Sequence, residues 1–353
     1  MTSDPLRITR RTAAALWAAF LGIALAAIIA LIPLPYAVLR PGPATNTLGK
    51  GSDGKPLVTV VGAPTYPTTG ALDFTTVSVS GGPGRRVNAW DLLGAYLSSS
   101  AEIYREDQLF APGTTSEQVK ERNAAEMTSS QEEATAVALR SIGKTVTTRY
   151  AIASVAEGTP AAAVLKPDDI VLAVDGTTIA SLADIQRLVR AHTSGQEVRL
   201  TIRRAGKDQD VSARTTTVEG VTALGVRMQP VYDYPFEVTI DAGDVGGPSA
   251  GTMFALAVRD ILTPGAMTGG KKIAGTGTID DAGEVGPIGG IRQKIVGAKE
   301  AGATYFLAPA DNCRDLAGEQ IEGITVVRIA TFDDAVHAVD EIAAGGSDLP
   351  RCG

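Results

Sequence analysis

The stretch Asp244-Val-Gly-Gly-Pro-Ser-Ala-Gly251 carries the chain from a predicted strand into a predicted helix. Ahead of it, residues 236–241 alternate apolar and polar, the period of a half-buried strand. Behind it, Met253, Phe254, Ala257, Val258, Ile261 and Leu262 give 250–262 a broad apolar surface, and Thr263-Pro264-Gly265 stops the helix. Gly243, Gly246 and Gly247 open backbone conformations closed to other residues, and Pro248 fixes the approach to Ser249. Ser249 is thus predicted at or near a helix N-terminus, where free backbone N–H groups favour a developing oxyanion. Serine is also a common N-cap. Taken alone, the segment leaves cap and nucleophile both open.

A second helix is predicted over 291–301, after Gly289-Gly290. At about 100° per residue, Ile291, Lys294, Ile295 and Ala298 share one face. Lys294 therefore falls on the apolar stripe, where burial disfavours the ammonium and lowers its pKa. A neutral amine there can take a proton from a serine hydroxyl. The competing reading is a lysine that packs its stem and keeps its head in water.

Three motifs follow one another in the chain: Gly247-Pro-Ser-Ala-Gly251, Thr276-Gly-Thr-Ile279, and Gly283-Glu-Val-Gly-Pro-Ile-Gly-Gly-Ile-Arg-Gln-Lys294. Together with 298–312 they resemble the proteolytic domain of the Lon protease family, over 218–345. The resemblance implies that Ser249 is the nucleophile, Lys294 the general base, and Thr276 a support for the lysine. Gly247 and Ala250, which flank the Pro-Ser pair, are expected to support the serine. Two positions depart from the family pattern. Gly246 stands where many members have an acidic residue, and Thr278 where they usually have Glu.

Other chemistries find little support. A Ser-His-Asp triad needs a histidine beside Ser249, and the two present, His192 and His337, sit in no motif. No His/Cys/Asp cluster has metal-ligand spacing, so neither metal nor cofactor is expected. The loop Gly49-Lys-Gly-Ser-Asp-Gly-Lys55 imitates a phosphate-binding loop, but Pro56 replaces the required Ser/Thr and a strand follows. Lon enzymes carry an ATPase domain by resemblance; no stretch here reads as one, so ATP-independent action is expected.

Between Arg11 and Arg40 no residue is charged, and Ala, Leu and Ile dominate up to Leu34. That is long enough to span a bilayer. Arg7, Arg10 and Arg11 precede it, which puts the N-terminus in the cytoplasm and the remainder outside. A cleaved signal peptide is the rival, disfavoured by the length of the run and by Pro33 and Pro35. Cys313 and Cys352 are the only cysteines and could form one disulfide in an oxidising exterior.

In the middle of the chain, strands are predicted at 151–155, 169–176 and 198–202, with a helix over 181–191 capped by Ser181. Glu157-Gly-Thr-Pro-Ala-Ala162 and Lys166-Pro-Asp-Asp-Ile-Val-Leu-Ala-Val-Asp-Gly176 resemble a bacterial PDZ domain, with Asp168 in place of the usual glycine. Such domains bind extended chains by strand addition. Leu224-Gly225-Val226 is a candidate for the loop holding a peptide end; the alternative is an ordinary strand of the next domain. Residues 40–134 read as a stiff Arg40-Pro-Gly-Pro43 exit, strands at 57–61 and 74–79, and helices at 87–97 and 115–139.

With 44% hydrophobic residues among 353, the chain can bury two modest cores and one span. A net charge of −7 argues against nucleic acid as a partner. The expected fold is a multidomain α+β chain: a cytoplasmic 1–11, a transmembrane helix over 12–36, an extracytoplasmic 37–134, a β-rich PDZ-like domain over 135–218, a Lon-type α/β proteolytic domain over 219–345, and a tail over 346–353. The expected function is a membrane-anchored serine endopeptidase of protein or peptide substrates, single-pass in the cell membrane, acting in extracytoplasmic quality control or regulated proteolysis. By resemblance it would assemble as a homo-oligomeric ring. The alternative is a non-catalytic adaptor on the same folds. A trypsin-like PDZ protease is disfavoured by the histidines and by the domain order.

Overall fold

The structure, a computed structural model, describes residues 9–51, 54–318, 321–346 and 348–352. Arg7, Ser52 and Asp53 of the readings above lie outside the described residues. Contacts divide the chain into two compact units, Met1–Ile142 with Val238–Gly353, and Gly143–Glu237.

The first unit is built on a six-stranded sheet. Thr325–Ile329, Tyr305–Pro309, Lys272–Gly275 and Ala71–Gly81 run parallel in that order. Tyr36–Asn46 and then Glu102–Arg105 extend it antiparallel. Both faces are covered, so its central strands read as unbroken apolar runs such as Tyr305-Phe-Leu-Ala-Pro309 rather than alternating ones. On one face Leu72, Phe74, Ile273, Leu307 and Val327 pack under the helices Ser116–Ser141, Gly251–Leu262 and Phe332–Ala344. On the other, Ala274, Phe306 and Ala308 meet Ile291, Ile295 and Ala298 of the helix Ile291–Glu300. Each large side chain so buried, Phe254 for example, stabilises by about 2–3 kcal/mol. The helix after Ser249 and the helix of Lys294 therefore lie on opposite faces of one sheet.

The Arg40-Pro-Gly-Pro43 run is not an exit segment but the middle of the strand Tyr36–Asn46. The missing proline N–H groups are tolerated because the register with Ala71–Gly81 shifts between Pro41 and Ala44. The other neighbour, Glu102–Arg105, pairs only with Tyr36 to Leu39. The apolar helix is Arg10–Leu31, and it ends short of the expected residue 36. Pro33 biases Ile32 out of the helical region, and Ile32 is extended at φ −78°, ψ 112°. At 1.5 Å per residue its 22 residues reach about 33 Å, and an 18-residue stretch of it has a mean hydropathy of 2.5, so it is long and apolar enough to cross a membrane.

The second unit is an antiparallel sheet of Thr147–Val155, Ile170–Val174, Thr177–Thr178, Glu197–Arg204, Lys207–Arg214 and Val226–Asp233. Its core is Ile152, Val174, Val198, Leu200 and Ile202, closed by Ile185 and Val189 of the helix Leu182–Arg190. Ser181 and Asp184 form that helix's capping box. Asp168 sits at φ 69°, the left-handed region that explains why glycine suits this position and why Asp is an acceptable substitute. The unit extends past residue 218 because Val226–Asp233 pairs along Thr147–Val155. Leu224 joins the core of this unit, and Gly225, at φ 72°, bonds its carbonyl to the Ala156 N–H.

Candidate active site

The parallel strand Lys272–Gly275 ends at Thr276, and the loops leading into the two helices converge at that end. Ser249 lies two residues before Gly251–Leu262. It does not cap that helix, because Ala250 holds the cap position and makes no side-chain cap bond. The Ser249 hydroxyl instead meets Lys294, whose Nζ lies 2.7 Å from Ser249 Oγ. The same Nζ lies 2.9 Å from Thr276 Oγ1. Thr276 spends its own proton on the Ser249 carbonyl at 2.9 Å, which leaves its oxygen free to accept from the lysine. Gly277 N–H also donates to that carbonyl, at 2.9 Å. The hydroxyl, amine and strand end are thus tied into one short network.

Lys294 is 2% exposed, so it does not keep its head in water. Burial pulls its pKa down to about 7, and among the described residues no carboxylate counters the shift. The amine is therefore available in its neutral form near neutral pH. Among the described residues, neither the Ser249 nor the Ala250 N–H donates to a backbone carbonyl.

The serine loop is held by close backbone approach. Gly247, at φ 89°, donates its N–H to the Asn123 carbonyl at 2.9 Å. A Cβ on Gly246 would stand 2.8 Å from Asn123 Cβ, so the departure from an acidic residue there follows from the proximity of the Ser116–Ser141 helix. Ser130 of the same helix donates to the Pro248 carbonyl at 2.9 Å. The lysine helix starts at Gly290, at φ 68°, whose Cβ would meet Val77 at 2.8 Å.

Residues 223–341 match the family model of the Lon protease (S16) C-terminal proteolytic domain, and residues 121–215 match that of the PDZ domain. The chain carries a Lon-type proteolytic domain and a PDZ domain. Lon protease 1 of Bacillus subtilis is 37% identical over 112 residues, 31% of this chain and 14% of that protein. Lon protease of Clostridium beijerinckii is 38% identical over 136 residues, 37% of this chain and 16% of that protein. The matches thus span a small part of these relatives' length. Among solved structures, the PDZ domain of an SdrC-like protein from Listeria monocytogenes aligns at 21% identity and a TM-score of 0.22, over 22% of this chain and 85% of that one.

In the Lon-type domain the network opens into a cleft of about 680 Å³, with Ser249 and Lys294 in its lining. One wall is Thr75, Thr76, Val77 and Val79. Lys272–Gly275 pairs with that strand only as far as Phe74, and the Thr75 hydroxyl closes onto the Gly275 carbonyl at 3.1 Å. Beyond it, among the described residues, no strand pairs with the cleft side of Thr76 to Gly81. Asn123 and Met127 line the other side. The sequence motifs located the serine, lysine and threonine but missed Asn123, Ser130 and the 75–79 wall. For Ser130 one signal was available: a hydroxyl in register with buried Ala134 and Val137 along a helix.

Neither histidine lines the cleft. His192 bonds to the Leu188 carbonyl at 3.1 Å and to Asp175 at 3.2 Å, and His337 is exposed on Phe332–Ala344. Thr278 lines the cleft. Cys313 and Cys352 are joined as a disulfide, far along the chain from the serine loop.

Proposed function

We propose that the chain is a membrane-anchored serine endopeptidase working through a Ser249–Lys294 dyad, with the PDZ domain recruiting protein substrates. The observation that carries this reading is the 2.7 Å contact between Ser249 Oγ and a buried Lys294 amine that has no acidic partner. Neutral Lys294 Nζ takes the hydroxyl proton as Ser249 Oγ attacks the scissile carbonyl carbon. Lys294 then protonates the departing amine; neutral again, its Nζ takes a proton from water as that water attacks the acyl carbonyl, and returns it to Ser249 Oγ as the ester bond breaks and the acid leaves. The Ser249 and Ala250 N–H groups stand ready for the tetrahedral oxyanion. Thr276 holds the lysine between attack and release, and Gly247 and Ala250 hold the serine loop. An extended substrate adds along the unpaired edge of Thr76 to Gly81, which brings backbone hydrogen bonds to the cleft without demanding a particular sequence. These steps need no nucleotide.

The same reading takes Arg10–Leu31 as a single uncleaved span with the N-terminus cytoplasmic and both folded units outside. It takes residues 36–142 as part of the proteolytic body, on the strength of their strands in its sheet, and Gly143–Glu237 as the PDZ module. Ring assembly belongs to the reading only through the family.

The test is cleavage of an unfolded protein by the detergent-solubilised full chain. Ser249→Ala and Lys294→Ala are each expected to lower kcat by about 10³-fold or more, with no effect of added ATP on the wild type. Full activity in both variants would overturn the dyad.

A further inference from the structure

The helix Ala89–Tyr96 is apolar on both sides. Its inner side, Leu92 and Ala95, packs with Tyr36, Val38, Val87 and Ala101. Its outer side carries Trp90, Leu93 and Leu97, spaced by three and four residues and so on one stripe, with Tyr96 at the border. Tyr96 and Leu97 are 80% and 75% exposed, and Trp90 and Leu93 nearly half. Asp91, the helix's one charged side chain, accepts from the Asn88 N–H at 2.9 Å in a capping box, and the apolar side chains on the two faces call for cover on both.

What covers the outer side follows from where the helix is pinned. Three residues past Arg10–Leu31, Leu34 bridges to Val87, its N–H donating to the Val87 carbonyl at 2.9 Å. The Trp90 indole Nε1 donates to the Ala26 carbonyl at 3.2 Å. Ala26 lies five residues inside the end of Arg10–Leu31, about 7.5 Å along the axis at 1.5 Å per residue. With that helix spanning a bilayer, Trp90 sits about 7.5 Å below its surface, within the roughly 5–10 Å at which interfacial helices immerse their apolar faces. Tryptophan prefers that zone. Arg85 and Arg86, exposed just before the helix, put two positive charges beside it, the charge that anionic headgroups attract.

We propose that Ala89–Tyr96 is a second membrane contact, lying in the headgroup–acyl boundary of an anionic phospholipid bilayer with Trp90, Leu93 and Leu97 immersed. The proposal rests on the reading of Arg10–Leu31 as a span. Its effect is to fix the tilt of the proteolytic unit as well as its attachment, since Val38 under this helix precedes Leu39 on the cleft wall.

The chain has two tryptophans, Trp17 and Trp90, and each can be made the sole reporter. The full chain, as Trp17→Phe or Trp90→Phe, is reconstituted in vesicles of phosphatidylglycerol and phosphatidylcholine with brominated acyl chains. In Trp17→Phe, bromines near the top of the chain are expected to quench Trp90 about twofold more than bromines near its end, as the shallow immersion of such a helix demands. Adding Leu93→Lys and Leu97→Lys is expected to remove most of that quenching. Quenching of Trp17 but not of Trp90 overturns the proposal and leaves the span standing. A blue-shifted, unquenched Trp90 also overturns it, in favour of a second copy of the chain on this face. If neither tryptophan is quenched, the span falls and the proposal with it.

Discussion

Among the described residues the Lys294 amine bonds to two hydroxyls, Ser249 Oγ and Thr276 Oγ1, and to no carboxylate. Its pKa near 7 has consequences for rate and for stability. The rate constant kcat/KM should rise through about pH 7 as the free amine forms and then level off, measured on a peptide substrate from pH 5.5 to 9. A flat profile across pH 7 removes the lysine as base. For stability, the folded pKa lies below the unfolded value of about 10.5, so between the two the unfolded chain binds a proton that the folded one has released. Stability therefore rises with pH across that window. Lys294→Met should stabilise the fold most below pH 7, and its advantage should shrink toward pH 10, as read from urea unfolding at several pH values. Lys294 stood out because it falls on the apolar stripe of a periodic helix, whereas Ser249 and Thr276 were singled out by the motifs that resemble the Lon family. Asn123 was not legible, because it acts through its main-chain carbonyl on a loop distant in sequence, which leaves no local pattern.

At the scale of elements, the lysine helix is set by how closely its backbone meets the sheet. A Cβ on Gly297 would stand 2.5 Å from the Gly42 carbonyl, and one on Gly42 would stand 2.4 Å from Thr76 Oγ1. Gly297→Ala should therefore push the helix off Tyr36–Asn46, costing about 1–3 kcal/mol of stability. The displacement should lower kcat by about 10-fold or more with little change in KM, because the amine loses its reach to Ser249. Steady-state kinetics beside a thermal melt checks both. Helices at 250–262 and 291–301 were readable from their apolar period and their stops. The strand through Arg40-Pro-Gly-Pro43 was not, since two prolines argue locally against pairing. What overrides them is tertiary: a register shift on one side and a partner on the other that stops at Leu39.

On the scale of the whole molecule, the proteolytic sheet joins strands from both ends of its unit. Gly275 pairs with Phe74 across some 200 positions, so the motifs alone could not show that residues 36–81 build the cleft wall. The same sheet ends at Thr325–Ile329, an edge that the C-terminal tail covers: Arg328 N–H donates to the Pro350 carbonyl and Cys352 N–H to Val326. The Cys313–Cys352 bond holds that cover in place and closes a 39-residue separation. Cys313→Ser with Cys352→Ser should cost about 2–4 kcal/mol in equilibrium unfolding and increase aggregation on heating. An unchanged midpoint would show that the tail holds without the bond. The short passage from helix to sheet has a further consequence. Leu39 on the cleft wall follows Leu31 by eight residues, which even fully extended reach under about 30 Å, and the Leu34–Val87 pairing shortens that. If Arg10–Leu31 spans a bilayer as proposed, the candidate active site is held on a leash of fixed length. A peptide bond far above the lipid would then stay beyond it whatever its sequence, and selection would work first by altitude.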